Sequence, residues 1–132
     1  MEVKIDTREK FTVVTPLKPE FTDIIAAEVA EICGSQLQKE VKNVILNLRS
    51  VSKMEENAAI TLTALQRSFY ENHASFVICS LQAPVEETLN KLEILEVLNI
   101  TPSESEAWDI VQMEEIEREL LDGDDMEFGT HE

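Results

Sequence analysis

The sequence predicts an α/β domain on a mixed, mainly parallel sheet of four to five strands with about four helices. Three observations carry that expectation. Two short alternating stretches, Val3 to Thr7 and Phe11 to Thr15, read as an opening hairpin turning at Arg8-Glu9-Lys10. Two nearly continuous apolar runs, Val44-Ile45-Leu46-Asn47-Leu48 and Ser75-Phe76-Val77-Ile78-Cys79, suit strands buried on both faces of a parallel sheet. Around these runs, apolar residues recur at steps of three or four, so strands alternate with helices.

Pro16 and Pro19 end the hairpin pattern, and Thr22 or Asp23 can cap a helix whose inward residues are Ile25, Val29, Ile32, Cys33 and Leu37. After the first apolar run, a loop from Arg49 to Asn57 leads to a second helix with Ala58, Leu62, Leu65 and Phe69 on one side. Pro84 suits the first turn of a third helix, which presents Val85, Leu89 and Leu92. Val97 to Ile100 is expected as a last short strand, stopped at Thr101-Pro102. Ser103-Glu104-Ser105-Glu106 then forms a capping box for a final helix burying Ala107, Ile110, Met113, Ile116 and Leu120. Residues 1–121 are thus expected as one domain. Residues 122–132 are expected as an acidic, flexible end in which Met126 and Phe128 are either anchors or part of a loose terminus.

A chain of 132 residues is long enough for one hydrophobic core. It holds no run of roughly 18 apolar residues, and its first residues lack the apolar stretch of a signal peptide. The expected location is the cytoplasm, with no membrane insertion. The net charge of −16 is uneven: residues 1–103 carry 15 acidic and 10 basic side chains, and residues 104–132 carry 12 acidic ones against Arg118 alone. A phosphate backbone or an anionic membrane would repel such a surface, so nucleic acid is not an expected partner. The acidic end reads either as a solvated helix or as a docking segment for a basic partner.

Residues for chemistry are scarce. The three glycines, Gly34, Gly123 and Gly129, lie in no strand-to-helix phosphate loop. Asp122-Gly123-Asp124-Asp125 begins like a calcium loop, but Glu127 stands where the glycine belongs and the closing glutamate would fall past the chain's end. Cys33 and Cys79 read as separate buried thiols, and His73 and His131 as incidental. Glu55 and Glu56 open a helix, where the dipole favours acidic groups by about 0.3–1 kcal/mol each. Adjacent carboxylates seldom converge on one substrate atom. No enzyme activity, cofactor or metal is expected.

The stretch from Val44 through Leu46, Leu48, Val51 and Met54 to Ala58 resembles the central signature of STAS domains. In that family a buried strand, typically L-D-L-S-x-V, leads to D-S-S-G-L at a helix start. Strand and loop match here; the helix start departs. The order from Ser80-Leu81-Gln82-Ala83-Pro84 through Leu92, Leu95 to Thr101 and Glu104-Ser105-Glu106-Ala107 is similar to the family's last strand–helix–strand–helix. The run Met113 to Leu120 resembles the end of some stand-alone bacterial members.

The resemblance implies an anti-sigma factor antagonist: a non-enzymatic protein that binds a serine-kinase-type anti-sigma factor and frees a sigma factor, until phosphorylation of the first serine separates the pair. Aligned on Leu46, Leu48, Val51 and Met54, Glu55 takes the aspartate position and Glu56 the phosphoacceptor position, with Asn57 and Ala58 following. Glu56 has no hydroxyl to phosphorylate and carries less charge than a phosphate. The implied partner surface is Ser50, Ser52, Lys53, Glu55, Glu56, Asn57 and Thr61. Several readings stay open. The protein could be a locked, weak antagonist, or it could suit a diverged partner that welcomes an acidic residue. It could instead be an accessory or scaffold subunit of a transport complex, bound to a transporter ATPase, or of another signalling assembly. Glu55, Glu56 and Asn57 could also simply cap their helix.

Overall fold

The computed structural model describes the backbone of residues 3–128 and the side chains of residues 3–121. Its elements are β1 (Val3–Thr7), β2 (Thr12–Pro16), β3 (Glu20–Phe21), α1 (Asp23–Gln36), β4 (Val44–Asn47), β5 (Lys53–Met54), α2 (Glu56–Glu71), β6 (Phe76–Cys79), α3 (Ala83–Lys91), β7 (Ile100–Thr101) and α4 (Glu104–Phe128). The main sheet runs β1-β2-β4-β6-β7, with β1 antiparallel to β2 and the remaining pairs parallel. This is the α/β architecture that the alternating pattern predicts.

Strand alternation builds two cores. Val14, Val44, Leu46, Phe76 and Ile78 face one way, against Val29 and Cys33 of α1, Leu62 and Phe69 of α2, and Val85 and Leu89 of α3. Val13, Ile45, Val77 and Cys79 face the other way, against Phe11 and against Ala107 and Val111 of α4. Both faces of the central strands are therefore covered, which is why β4 and β6 read as unbroken apolar runs. The rings of Phe11 and Trp108 stack at a centroid distance of 4.7 Å and seal the margin of the second core.

Several boundaries differ from the sequence reading. Phe11 and Leu48 lie just outside their strands, and α2 opens two residues before Ala58. The last strand is Ile100–Thr101, not Val97 to Ile100, and Val97 is exposed in the preceding loop. Helix α4 continues to Phe128, into the stretch read as a polar end.

The largest correction concerns the inner face of α4. Ala107 is buried and Ile110 partly so, as expected, but Met113, Ile116 and Leu120 are exposed at 57, 55 and 61%. Val111, Glu114, Glu115 and Arg118 turn inward instead. The residues entering three parallel strands are Asn43, Ser75 and Asn99, and these polar groups select polar partners. Ser75 Oγ and Asn99 Nδ2 donate to the Glu114 carboxylate at 2.5 and 3.1 Å, and Asn43 Nδ2 donates to Glu115 at 2.8 Å. Arg118 reaches Ser75 and Asn43, at 3.4 Å in each case. An apolar stripe cannot lie over such groups without leaving them unsatisfied.

Both cysteines are buried, as expected. Burial pushes the Cys33 thiol up from 9.0 to about 12. Burial also raises Cys79, with the nearby Glu104 charge adding to it, while a Ser80 hydrogen bond and Arg49 act the other way. A raised thiol pKa means stability that is complete below pH 9 and lost as the pH climbs toward 12. In the native protein at pH 8, neither thiol should react with Ellman's reagent, whereas both should react in guanidinium. Fast labelling of a native thiol would contradict the packing. His73 sits just past α2 with φ 58, and no side-chain partner for it is seen among the described residues. His131, Met126 and the side chains of Asp122–Asp125 and Phe128 lie outside the described side chains.

Candidate functional site

The loop between β4 and α2 is held from three sides. At the end of β4 the Asn47 side chain bridges, accepting from Arg49 N at 2.9 Å and donating to Glu104 at 2.9 Å. A tight turn follows, closed by Val51 N donating to Leu48 O at 3.0 Å, and it drops the Val51 side chain into the core. Gln82, the residue capping α3, donates to Arg49 O at 2.7 Å.

The third restraint is a two-stranded parallel ribbon, β3 with β5, pairing Glu20 with Lys53 and Phe21 with Met54. Ser52 N and Lys53 N both donate to Pro19 O, at 2.8 and 3.1 Å, and Glu55 N donates to Phe21 O at 3.0 Å. Buried Phe21 and Met54 anchor the ribbon from below. Above it, Lys53 and Glu20 approach to 3.6 Å, an exposed pair worth at most about 1 kcal/mol.

Two helix starts meet at this ribbon. Thr22 caps α1 through its hydroxyl, which accepts from Ile25 N at 3.2 Å. Glu55, at the N-cap position of α2, makes no side-chain cap on its own helix; its carboxylate accepts from Asp23 N at 2.9 Å, in the first turn of α1. One acidic side chain thus ties the two helix starts together, where both dipoles favour its charge. Glu56 opens α2, is exposed, and has no side-chain partner among the described residues.

The seven residues singled out from the sequence fall on this one segment. Ser52, Lys53, Glu55, Glu56 and Asn57 are exposed, and Ser50 and Thr61 are half-buried, with the Thr61 hydroxyl donating to Asn57 O at 3.2 Å. The sequence reading missed the segment from Pro19 to Asp23 that supports them. It also missed Ile24 and Ile60, exposed at 76 and 52%. Ile60 lies one turn beyond Glu56 on the same face of α2. Ile24 was legible as an isoleucine lying outside the Ile25–Val29–Cys33 stripe. The surface is open: clefts of about 520, 500 and 440 Å³ elsewhere on the molecule are lined by none of these residues. Among the described residues, no group of three or more His, Cys, Asp or Glu side chains could hold a metal, and no helix is long and apolar enough to cross a membrane.

A family model for the STAS domain matches residues 2–107. The chain belongs to the STAS family. Solved STAS structures share its fold at low sequence identity. The Thermotoga maritima protein TM1081 superposes with a TM-score of 0.74 at 18% identity, over 83% of this chain and 94% of that one. The unphosphorylated anti-sigma factor antagonist SpoIIAA gives 0.68 at 15%, over 83% and 96%. The mouse anion transporter Slc26a9 gives 0.66 at 14%, over 82% of this chain and 18% of the transporter. No curated protein sequence gives a significant match.

Proposed function

We propose that this STAS domain is a non-enzymatic regulator of the anti-sigma-factor-antagonist kind, acting in the cytoplasm. It binds a kinase-type anti-sigma factor through the loop from Ser50 to Asn57 and the outer face of α2. The observation that carries this reading is the place of Glu56: an exposed carboxylate with no partner among the described residues, at the start of α2, on a loop held by the β3–β5 ribbon. Glu55 has a structural task in tying α1 to α2, which leaves Glu56 to meet a partner. Ile60, one turn along α2 from it, and Ile24, in the first turn of α1, supply exposed apolar area that an isolated helix cap has no use for.

Glu56 stands where the family's phosphoacceptor serine is expected, and it brings a permanent single charge without a hydroxyl. The partner that fits offers a cation or free N–H groups at that point. Binding is then constitutive with respect to phosphorylation at position 56. A second reading, a subunit of a transport assembly, is favoured by the likeness to part of the mouse anion transporter, and such a role would need no phosphoacceptor at position 56.

The test is a pull-down of the tagged protein from its native cells, comparing wild type, Glu56→Ser and Glu56→Lys by mass spectrometry and then by titration with the recovered partner. A kinase-like protein is expected, with at least about a tenfold affinity change for Glu56→Lys, equivalent to 1.4 kcal/mol. Charge reversal at Glu119, on α4 and exposed, should change affinity less than twofold, as an order-of-magnitude bound for a screened charge away from the loop. Recovery of a transporter ATPase would select the second reading. Equal, negligible effects at both positions would remove the contact surface.

A further inference from the structure

Helix α4 carries a second unmatched surface, on the side of the molecule opposite α1 and α2. Met113, Ile116 and Leu120 follow one another at three- and four-residue steps, so they form one stripe. That stripe points away from Ala107, Val111 and Arg118, which face the sheet. Each of the three is more than half exposed, an uncommon use of large apolar side chains on a helix that already has a buried face.

Acidic side chains border the stripe: Asp109 lies one turn before Met113, and Glu117 and Glu119 lie to either side of it on the helix surface. Between Glu104 and Leu121 there are seven acidic side chains against Arg118 alone.

We propose that the outer face of α4, from Met113 to Leu120, is a docking surface for a basic amphipathic helix of another protein. The apolar stripe fits the apolar face of such a helix, and the acidic rim fits lysines and arginines along its flanks. A second copy of this chain is a poor occupant, because pairing two α4 helices brings two strongly acidic faces together. An anionic membrane is repelled for the same reason. The surface is separate from the Glu56 face, so its occupancy does not depend on the function proposed above.

The probe is a labelled synthetic peptide of about 18 residues, with leucines at helical spacing and lysines elsewhere. A scramble of identical composition keeps the charge and destroys the apolar face. Fluorescence anisotropy with the full chain at physiological salt should show binding of the peptide at least about tenfold tighter than of the scramble. The double substitution Ile116→Ser and Leu120→Ser should weaken the peptide by a similar factor while leaving the thermal midpoint unchanged. Glu117→Lys with Glu119→Lys, which leaves the stripe intact, should weaken it as well and keeps the test decisive if the serine variant folds poorly. Equal binding of peptide and scramble, or full affinity in both variants, would overturn the proposal. So would sedimentation showing a dimer of the chain that the serine substitutions abolish.

Discussion

Replacing Phe69 with alanine is expected to lower the unfolding free energy by about 3–5 kcal/mol, the range for removing a large aromatic from a packed core. Phe69 is fully buried in the last turns of α2, and its ring meets Phe76 of β6 at a centroid distance of 5.3 Å. The substitution removes apolar burial, leaves a cavity between helix and sheet, and breaks an aromatic pair worth about 0.5–1.5 kcal/mol beyond its area. A domain of this size is stable by only about 5–15 kcal/mol, so the variant should unfold at a much lower urea midpoint with a similar slope. Phe69→Leu, which fills most of the space, should cost far less. The functional consequence is specific. Phe69 seats α2, and α2 carries Glu56 and Ile60, so partner affinity should fall in the alanine variant at temperatures where it is still mostly folded. Retained affinity there would mean that the Glu55–Asp23 tie and the β3–β5 ribbon hold the site without the far end of the helix.

The second large effect is expected at Asn43. Its Oδ1 accepts from the buried Ser75 N at 2.9 Å, while its Nδ2 donates to Lys10 O at 3.2 Å and to Glu115 at 2.8 Å. One side chain therefore joins the start of β4 to the start of β6, the β1–β2 turn and α4. Asn43→Ala leaves the Ser75 amide buried without an acceptor and should cost about 2–4 kcal/mol, combining lost hydrogen bonds with an unsatisfied group. Glu115→Ala, on the more open side of the network, should cost less. The double variant should be less destabilised than the sum of the singles, since both remove the same Asn43–Glu115 bond. Strict additivity in urea titrations would show that this bond contributes nothing, and a loss under about 0.5 kcal/mol for Asn43→Ala would show that water replaces the side chain. Either result would mean that the Asn43 network does not set the orientation of α4.

That orientation shows where sequence reasoning succeeds and where it stops. The apolar runs of β4 and β6 were legible because strands covered on both faces have few polar positions. The stripes of α2 and α3 were legible because their apolar residues include the ones that are buried: Leu62 and Phe69, Val85 and Leu89. In α4 two faces are apolar in part, and the more regular one, Met113–Ile116–Leu120, is the outward one. Periodicity finds a stripe; it does not state what the stripe meets. Only the positions of Asn43, Ser75 and Asn99 beneath the helix decide that Glu114, Glu115 and Arg118 turn inward.

The same division holds at the site. The loop from Ser50 to Asn57, the helix that follows it and the Glu56 position were all readable from the chain, since they depend on local pattern and on family likeness. The ribbon beneath them was not. Strands of two residues, Glu20–Phe21 and Lys53–Met54, leave no periodic trace, and each exists because the other is its partner. Glu55 looks in sequence like a cap for α2, yet it closes α1, whose first turn lies 32 residues earlier. By itself the sequence determined the alternation of strands and helices, the two-sided core and the family, because burial and local propensity are written in residue type. Tertiary structure alone decided which carboxylate is tied down, which is left free, and which face of α4 meets solvent, because those depend on hydrogen-bond partners that lie far away along the chain.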